Sequence, residues 1–382
     1  MRILFTFEFP FSPEHYGGGH QIARGLSRAL ARAGHEVHVL ASGEDLLELA
    51  AHDAPVRWHF TGEYDRRVSG VRLARPAAAL VDTIVPDLVC AFTSETPFVL
   101  RAARRRGIPA VVYLAAPELL PFRALRLATL RHIRYNVGTW LQSLGAPGAP
   151  RVLTISRMIA DQAIARWGVP ATAVNAIGTG IDEAFDAPLA PPRAAPPPGG
   201  ARLLSVGRIT FSQKPLDRLA EGLALASDAW REWTVVGGGP DAERLQTAVA
   251  AAGLTDRVHL LGLRSPTDVV DLIDAHDVVM LPSRSESFFI TAYEAAARGR
   301  LLVTNDVAEV RSYFAGQRSV TVLPDDAPAG YATALRAALA GFGQRQADAL
   351  PLAGRVRTDC SWDAVAARFL AAAAPLLPAG VP

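Results

Sequence analysis

Short apolar runs recur along the chain, each followed by a longer stretch whose apolar positions return every three to four residues. Residues 3–7 form the first run, a glycine turn follows at Gly17, Gly18 and Gly19, and a helix is expected over 21–33. Ile22, Leu26, Ala29, Leu30 and Ala33 then share one face of that helix. Gly34 ends it, and 36–40 reads as the next strand. Further strands are expected at 88–92, 110–114 and 152–155. The rhythm continues with segments that read as buried strands at 202–206, 233–236, 258–261, 278–281 and 301–304. Short buried strands alternating with helices argue for parallel sheets covered on both faces. The expected fold class is therefore α/β, with two Rossmann-like, doubly wound parallel-sheet domains facing a cleft. No short fixed period is visible, which speaks against a solenoid.

The rhythm breaks at residues 187–200, where six prolines rule out helix and favour an extended connector. This segment is expected to separate an N-terminal domain, 1–186, from a C-terminal domain, 201–361. Sheets of this kind bind ligands at the carboxyl ends of their strands, so a cleft between the two domains is the expected site.

Composition narrows the picture. Of 382 residues, half are apolar, enough for two packed cores. Lys plus Arg number 39 and Asp plus Glu 37, and the net charge of +2 does not suit a nucleic-acid binder. Cys90 and Cys360 are the only cysteines, which excludes a disulfide framework or a cysteine zinc site and fits a reducing compartment. No run reaches membrane-span length. Glu8 and Pro10 interrupt the apolar N-terminus, so it reads as a strand rather than a signal peptide. A cytoplasmic protein is expected. Lys214 is the sole lysine among many arginines, which draws attention to it.

Four segments carry candidate chemistry. The stretch L-P-S-R-S-E-S-F-F-I-T-A-Y-E-A-A-A places Glu286 on a loop after a strand and Glu294 on a helix expected to begin near Phe289. Free N–H groups at a helix start bind phosphate, and a carboxylate accepts two hydroxyls at once. A helix cap for Glu286 and a solvated helix position for Glu294 explain the spacing equally well. In V-G-R-I-T-F-S-Q-K-P, Arg208 and Lys214 follow a buried strand and suit a diphosphate clamp, a planar fork beside a point charge. Two surface cations are the alternative. Gly17, Gly18 and Gly19 permit close approach of an anion, or simply make a tight turn. The G-G-G-P segment closes a strand near the expected cleft, which makes Gly238 a candidate for donor binding, though it reads first as a turn with positive-φ glycines.

These segments, taken in order, resemble the retaining family 4 glycosyltransferases of the GT-B fold. The series begins with G-G-G-H-Q-I-A-R-G-L-S-R-A-L-A-R-A-G-H-E-V and passes through L-T-I-S-R-M-I-A-D-Q, G-T-G-I-D, V-G-R-I…K-P and V-V-G-G-G-P. It ends with H-D-V-V-M-L-P-S-R-S-E-S-F-F-I-T-A-Y-E-A and S-W-D-A-V-A. The resemblance implies that Arg208 and Lys214 hold the donor diphosphate, Glu294 the ribose hydroxyls and Glu286 the transferred sugar. It implies that backbone N–H groups of Phe288, Phe289 and Ile290 meet the diphosphate or sugar. Gly17 to Gly19 would approach the donor phosphate or the acceptor, and a segment from about Trp362 would cross back onto the first domain. The donor would be a nucleotide-diphosphate sugar, UDP-sugar favoured, with no separate cofactor required. The family commonly reads E-G-F-G-L where this chain has E-S-F-F-I, so Phe289 replaces a glycine that allows close backbone approach. A histidine frequent after the strand at 110–114 is replaced by Ala115 and Ala116, with His20 and Glu118 as substitutes to consider.

The implied reaction is metal-independent transfer to an acceptor hydroxyl with retention. No Asp-x-Asp triplet is present to hold a metal on the diphosphate, so protein cations would take that role. Two rivals keep the fold: a sugar-nucleotide epimerase and a catalytically silent sugar-nucleotide-binding protein. A nicotinamide dehydrogenase lacks its G-x-G-x-x-G fingerprint. The acceptor is open: small molecule, glycan or lipid. Arg123, Arg126, Arg131 and Arg134 would share one helix side beside Leu130, Ile133, Val137 and Leu144. That face suits peripheral contact with an anionic inner membrane surface, or is an ordinary solvated basic face. Arg104, Arg105 and Arg106 read as a helix end, where cations complement the dipole.

Overall fold

The computed structural model describes residues 1–10, 18–42, 55–61, 71–93, 95–115, 142 and 144–378. The chain divides into two compact units, one of residues 1–180 and 362–382, the other of residues 181–361.

The first unit holds β1 (Arg2–Pro10), α1 (Gly18–Arg32), β2 (Glu36–Ser42), β3 (Arg57–Phe60), α2 (Val71–Ile84), β4 (Leu88–Ala91) and α3 (Thr96–Arg105). It continues with β5 (Ala110–Leu114), β6 (Arg151–Thr154), α4 (Arg157–Trp167) and β7 (Val174–Ala176). The strands pair in parallel in the order β3-β2-β1-β4-β5-β6-β7. Ile3, Leu4, Val89 and Val111 are completely buried, as expected of strands covered on both faces. Gly18 and Gly19 already belong to α1, so the expected turn is the helix's first residues, and Ala33 lies exposed beyond its end. Arg104 and Arg105 occupy the last turn of α3, with Arg106 as its cap, paired to Asp82 at 2.8 Å.

The second unit repeats the plan. It comprises β8 (Ala201–Val206), α5 (Leu216–Leu225), β9 (Trp230–Val236), α6 (Ala242–Ala251), β10 (Val258–Gly262), α7 (Pro266–Ala275), β11 (Val278–Leu281) and α8 (Ile290–Ala297). Then come β12 (Leu301–Asn305), the short α9 (Val310–Tyr313), β13 (Val320–Leu323), α10 (Pro328–Leu339) and α11 (Phe342–Asp359). Strand order is β10-β9-β8-β11-β12-β13, all parallel, with Leu203 opposite Val278. Local signals agree with the architecture: Ser265 and Asp268 make a reciprocal capping box at the start of α7, with proline at the first turn.

The proline-rich segment expected as the inter-domain connector is instead a strap on this second unit. Fully buried Arg298 pairs with Asp274 and donates to the carbonyls of Phe185, Ala187 and Pro188. Arg193 reaches Asp277, and Gly343 passes so near Ala194 that a Cβ there would meet its carbonyl at 2.6 Å. From Trp362 the chain rejoins the first unit through α12 (Trp362–Ala373).

Candidate active site

In both sheets the strand order reverses beside the first strand of the unit. A doubly wound sheet opens a crevice at such a point, beyond the strands' carboxyl ends. In the second sheet the reversal falls between β8 and β11, so the loops over 207–215 and 282–289 meet there. Gly207 starts the first loop at φ +140°, a conformation suited to glycine. A side chain there would also press on Lys214 Cε at 3.2 Å. The loops are joined by Arg284 N–H to Gln213 O at 2.8 Å and Gln213 Nε2 to Ser285 O at 2.9 Å.

Lys214 is the centre of this junction. Its Nζ donates to Glu286 Oε1 at 2.6 Å, and each side chain is 13% exposed. Ser283 Oγ donates to the same Oε1 at 3.0 Å. The ammonium lies 4.6 Å from the centre of the buried Phe289 ring, within cation–π range. Phe289 adopts φ −86°, open to any residue, so no glycine is needed at this position. Its ring supports the lysine from the core side.

Glu294 sits on α8, which is buried almost all round by Ala292, Ala295, Ala296 and Ala297. The residue is 6% exposed, and its carboxyl has no hydrogen-bond partner among the described residues. Burial, assisted by the Asp182 carboxylate, pushes its pKa up to about 8. The solvated position that spacing alone allowed is therefore excluded, as is a capping role for Glu286, because Phe289 is the cap of α8.

The other expected site residues fall into place unevenly. Arg208 is exposed and makes no polar contact among the described residues. Phe288 stacks on Tyr293 at 4.4 Å between ring centres. The N–H of Ile290 already donates to Phe288 O at 3.0 Å and is not free for a ligand, whereas among the described residues no such bond occupies the N–H of Phe288 or Phe289. Gly238 O accepts from Ile209 N–H at 2.9 Å. Its neighbour Gly237 has φ +136°, and a Cβ there would lie 1.9 Å from Gly207 O. The G-G-G segment thus combines one positive-φ turn residue with backbone-to-backbone approach of two loops. Gly18 and Gly19 belong to the first unit, while Gly17, Ala116, Glu118 and the arginine face at 123–134 lie outside the described residues.

Sequence reasoning missed two polar groups. Asn305, at the end of β12, is buried and accepts from Ser283 N–H at 2.9 Å. A polar residue closing the run L-L-V-T-N was its available signal. At the reversal point of the first sheet, Glu95 is completely buried and accepts from Thr6 Oγ1 at 2.8 Å and from the N–H groups of Phe92 and Thr93. Burial raises its pKa against the pull of these bonds. It ties β1 to the turn after β4. His20 in the same unit is buried, edge-on to Phe7 at 5.6 Å, and Ala115 is partly exposed.

Two doubly wound parallel sheets, each with a reversal point beside its first strand, set the class of architecture to which the chain belongs. Comparison with known proteins agrees. Residues 16–185 match the model described as Glycosyltransferase Family 4, and residues 200–341 the model for glycosyl transferases group 1. The D-inositol 3-phosphate glycosyltransferase of Salinispora tropica is 30% identical over 95% of this chain and 83% of its own length. The glycogen synthase of Mycobacterium tuberculosis is 26% identical over 96% of this chain and 92% of its own. Among solved structures, Anabaena HepE in complex with UDP superposes with a TM-score of 0.74, at 18% identity over 98% of this chain and all of HepE. The chain belongs to the family 4 glycosyltransferases and has the GT-B fold. Among the described residues no helix is long and apolar enough to cross a membrane.

Proposed function

We propose that this glycosyltransferase moves a sugar from a UDP-sugar to an acceptor hydroxyl, with retention at the anomeric carbon and without a metal. The observation that carries the reading is the unpartnered, buried carboxyl of Glu294, on the helix that follows the loop of Glu286, the partner of Lys214. A ribose offers two adjacent hydroxyl donors to such a carboxylate. On the loop before that helix, Glu286 keeps Oε2 without a partner among the described residues, ready for a sugar hydroxyl.

Breaking the bond from the anomeric carbon to phosphate sends its electron pair to the diphosphate. Lys214, exposed Arg208 and the N–H groups of Phe288 and Phe289 stabilise that charge in a water-poor site. The acceptor oxygen bonds to the anomeric carbon on the face the diphosphate leaves, and the acceptor proton passes to a departing phosphate oxygen. UDP as the nucleotide is supported by HepE, which was solved with it. The relatives' names mention different molecules, D-inositol 3-phosphate in one and glycogen in the other.

A thermal-shift panel of UDP, GDP, ADP and TDP sugars tests this reading. The expected result is stabilisation of a few kcal/mol by saturating UDP-sugar. Stabilisation by none of the four would contradict it. Incubation of the stabilising donor without acceptor should return it unchanged, whereas an epimerised sugar would make the chain an epimerase.

A further inference from the structure

Glu286 is held from behind by a chain of hydrogen bonds that begins outside the site. Tyr331, on α10 and buried, has its hydroxyl 3.2 Å from Asn305 Oδ1. The same Oδ1 accepts from Ser283 N–H at 2.9 Å, while Asn305 Nδ2 donates to Asp325 O. These partners leave one orientation for the amide, since a backbone N–H only donates and a carbonyl only accepts. Asn305 is 4% exposed. It therefore joins the ends of β11, β12 and β13 and fixes the backbone of Ser283. Ser283 Oγ in turn donates to Glu286 Oε1 at 3.0 Å, the oxygen that Lys214 Nζ also reaches at 2.6 Å. Both fixed donors converge on Oε1.

We propose that Asn305 is a positioning residue for the transferred sugar: through Ser283 it holds Glu286 so that Oε1 is occupied from within the protein and Oε2 is left for a hydroxyl of the donor sugar. Asn305 touches no substrate in this scheme. The scheme rests on the donor-binding reading above and adds a division of labour to it. Loss of Asn305 should impair recognition of the sugar and leave recognition of the nucleotide intact. Because Oε2 of an ionised carboxylate only accepts, the ligand group it serves must be a donor, as a neutral sugar's hydroxyl is.

The sole lysine of the chain allows a direct test. Protein labelled with 13C-lysine gives one side-chain signal set, that of Lys214, with its ε-methylene beside the Phe289 ring. Asn305→Ala is expected to shift that signal in ligand-free protein, and to shift it little further in a Glu286→Gln background. Calorimetry with UDP and with UDP-glucose as probes follows the same variants. The expected result for Asn305→Ala is UDP affinity within about twofold of wild type and UDP-glucose affinity reduced about tenfold, the size of one misplaced hydrogen bond. Tyr331→Phe, which keeps the buried ring, should show the same split in smaller measure and guards against a folding defect. An unmoved lysine signal, or equal losses for the two probes, would overturn the positioning role. Failure of wild-type protein to bind either probe would instead count against the donor reading, and the lysine signal would still decide for or against the Asn305–Glu286 linkage.

Discussion

Glu294 carries a carboxyl whose pKa burial pushes up to about 8, against 4.5 for the free side chain. Below pH 4.5 it is neutral in folded and unfolded chains alike. Above that, the unfolded chain releases its proton while the folded chain keeps it, so stability falls as pH rises from 4.5 towards about 8. Glu294→Gln should flatten this slope in chemical denaturation at pH 5 and pH 8. Ribose hydroxyls that donate to the carboxylate favour its ionised form, so UDP binding at pH 7 should release a proton. Calorimetry in two buffers of different ionisation heat reads that proton directly, and the Glu294→Gln variant should not show it. At Lys214 the effect belongs to the rate. Lys214→Ala removes a donor aimed at the leaving group and should lower kcat/KM about a hundredfold or more. An unchanged rate in folded variant protein would remove Lys214 from the site.

Among elements, two features hold the second unit's site loops in place. Gly237 lets the loop after β9 run against Gly207, so Gly237→Ala combines a positive-φ penalty with a backbone clash. Thermal denaturation should show a loss on the order of 1–3 kcal/mol, with weaker UDP binding because the displaced loop carries Arg208. The proline-rich strap depends on Arg298. Arg298→Ala leaves Asp274 and the strap carbonyls without their donor and should cost about 3–5 kcal/mol. Much of this architecture was legible in advance. Strands such as β4, β5 and β11 are continuous apolar runs because both their faces are covered. The strands that escaped notice, β3, β7 and β13, lie at or near sheet edges and are partly exposed, so R-W-H-F, V-N-A and V-T-V-L lack that signature. In the site, residue type and strand-end position drew attention to Lys214, Glu286 and Glu294. Their contacts could not be read. Lys214 and Glu286 are 72 positions apart, and Phe289 looked like an obstacle until its ring was seen beneath the ammonium.

Across the whole molecule, the chain's last helix completes its first unit. The indole of Trp362 fits where a Cβ on Gly25 or Gly180 would come within 2.0 or 2.3 Å of it. Asp363 pairs with Arg32, Arg368 donates to Ile177 O, and Phe369 packs on Phe5. Trp362→Ala should therefore destabilise the first unit by about 3–5 kcal/mol, seen as an earlier thermal transition, while UDP still binds the second unit. The proline count suggested a connector at 187–200, yet the segment lies on one unit, its start held where buried Arg298 collects the carbonyls of Phe185, Ala187 and Pro188. The central claim concerns charge at the reversal point of the second sheet. It is tested most directly by a crystal structure of the chain with UDP bound. The expected result places Lys214 Nζ and the Arg208 guanidinium about 2.7–2.9 Å from diphosphate oxygens, with Glu294 on the ribose hydroxyls. A diphosphate bound elsewhere, out of reach of Lys214 Nζ and with Arg208 in solvent, would contradict it.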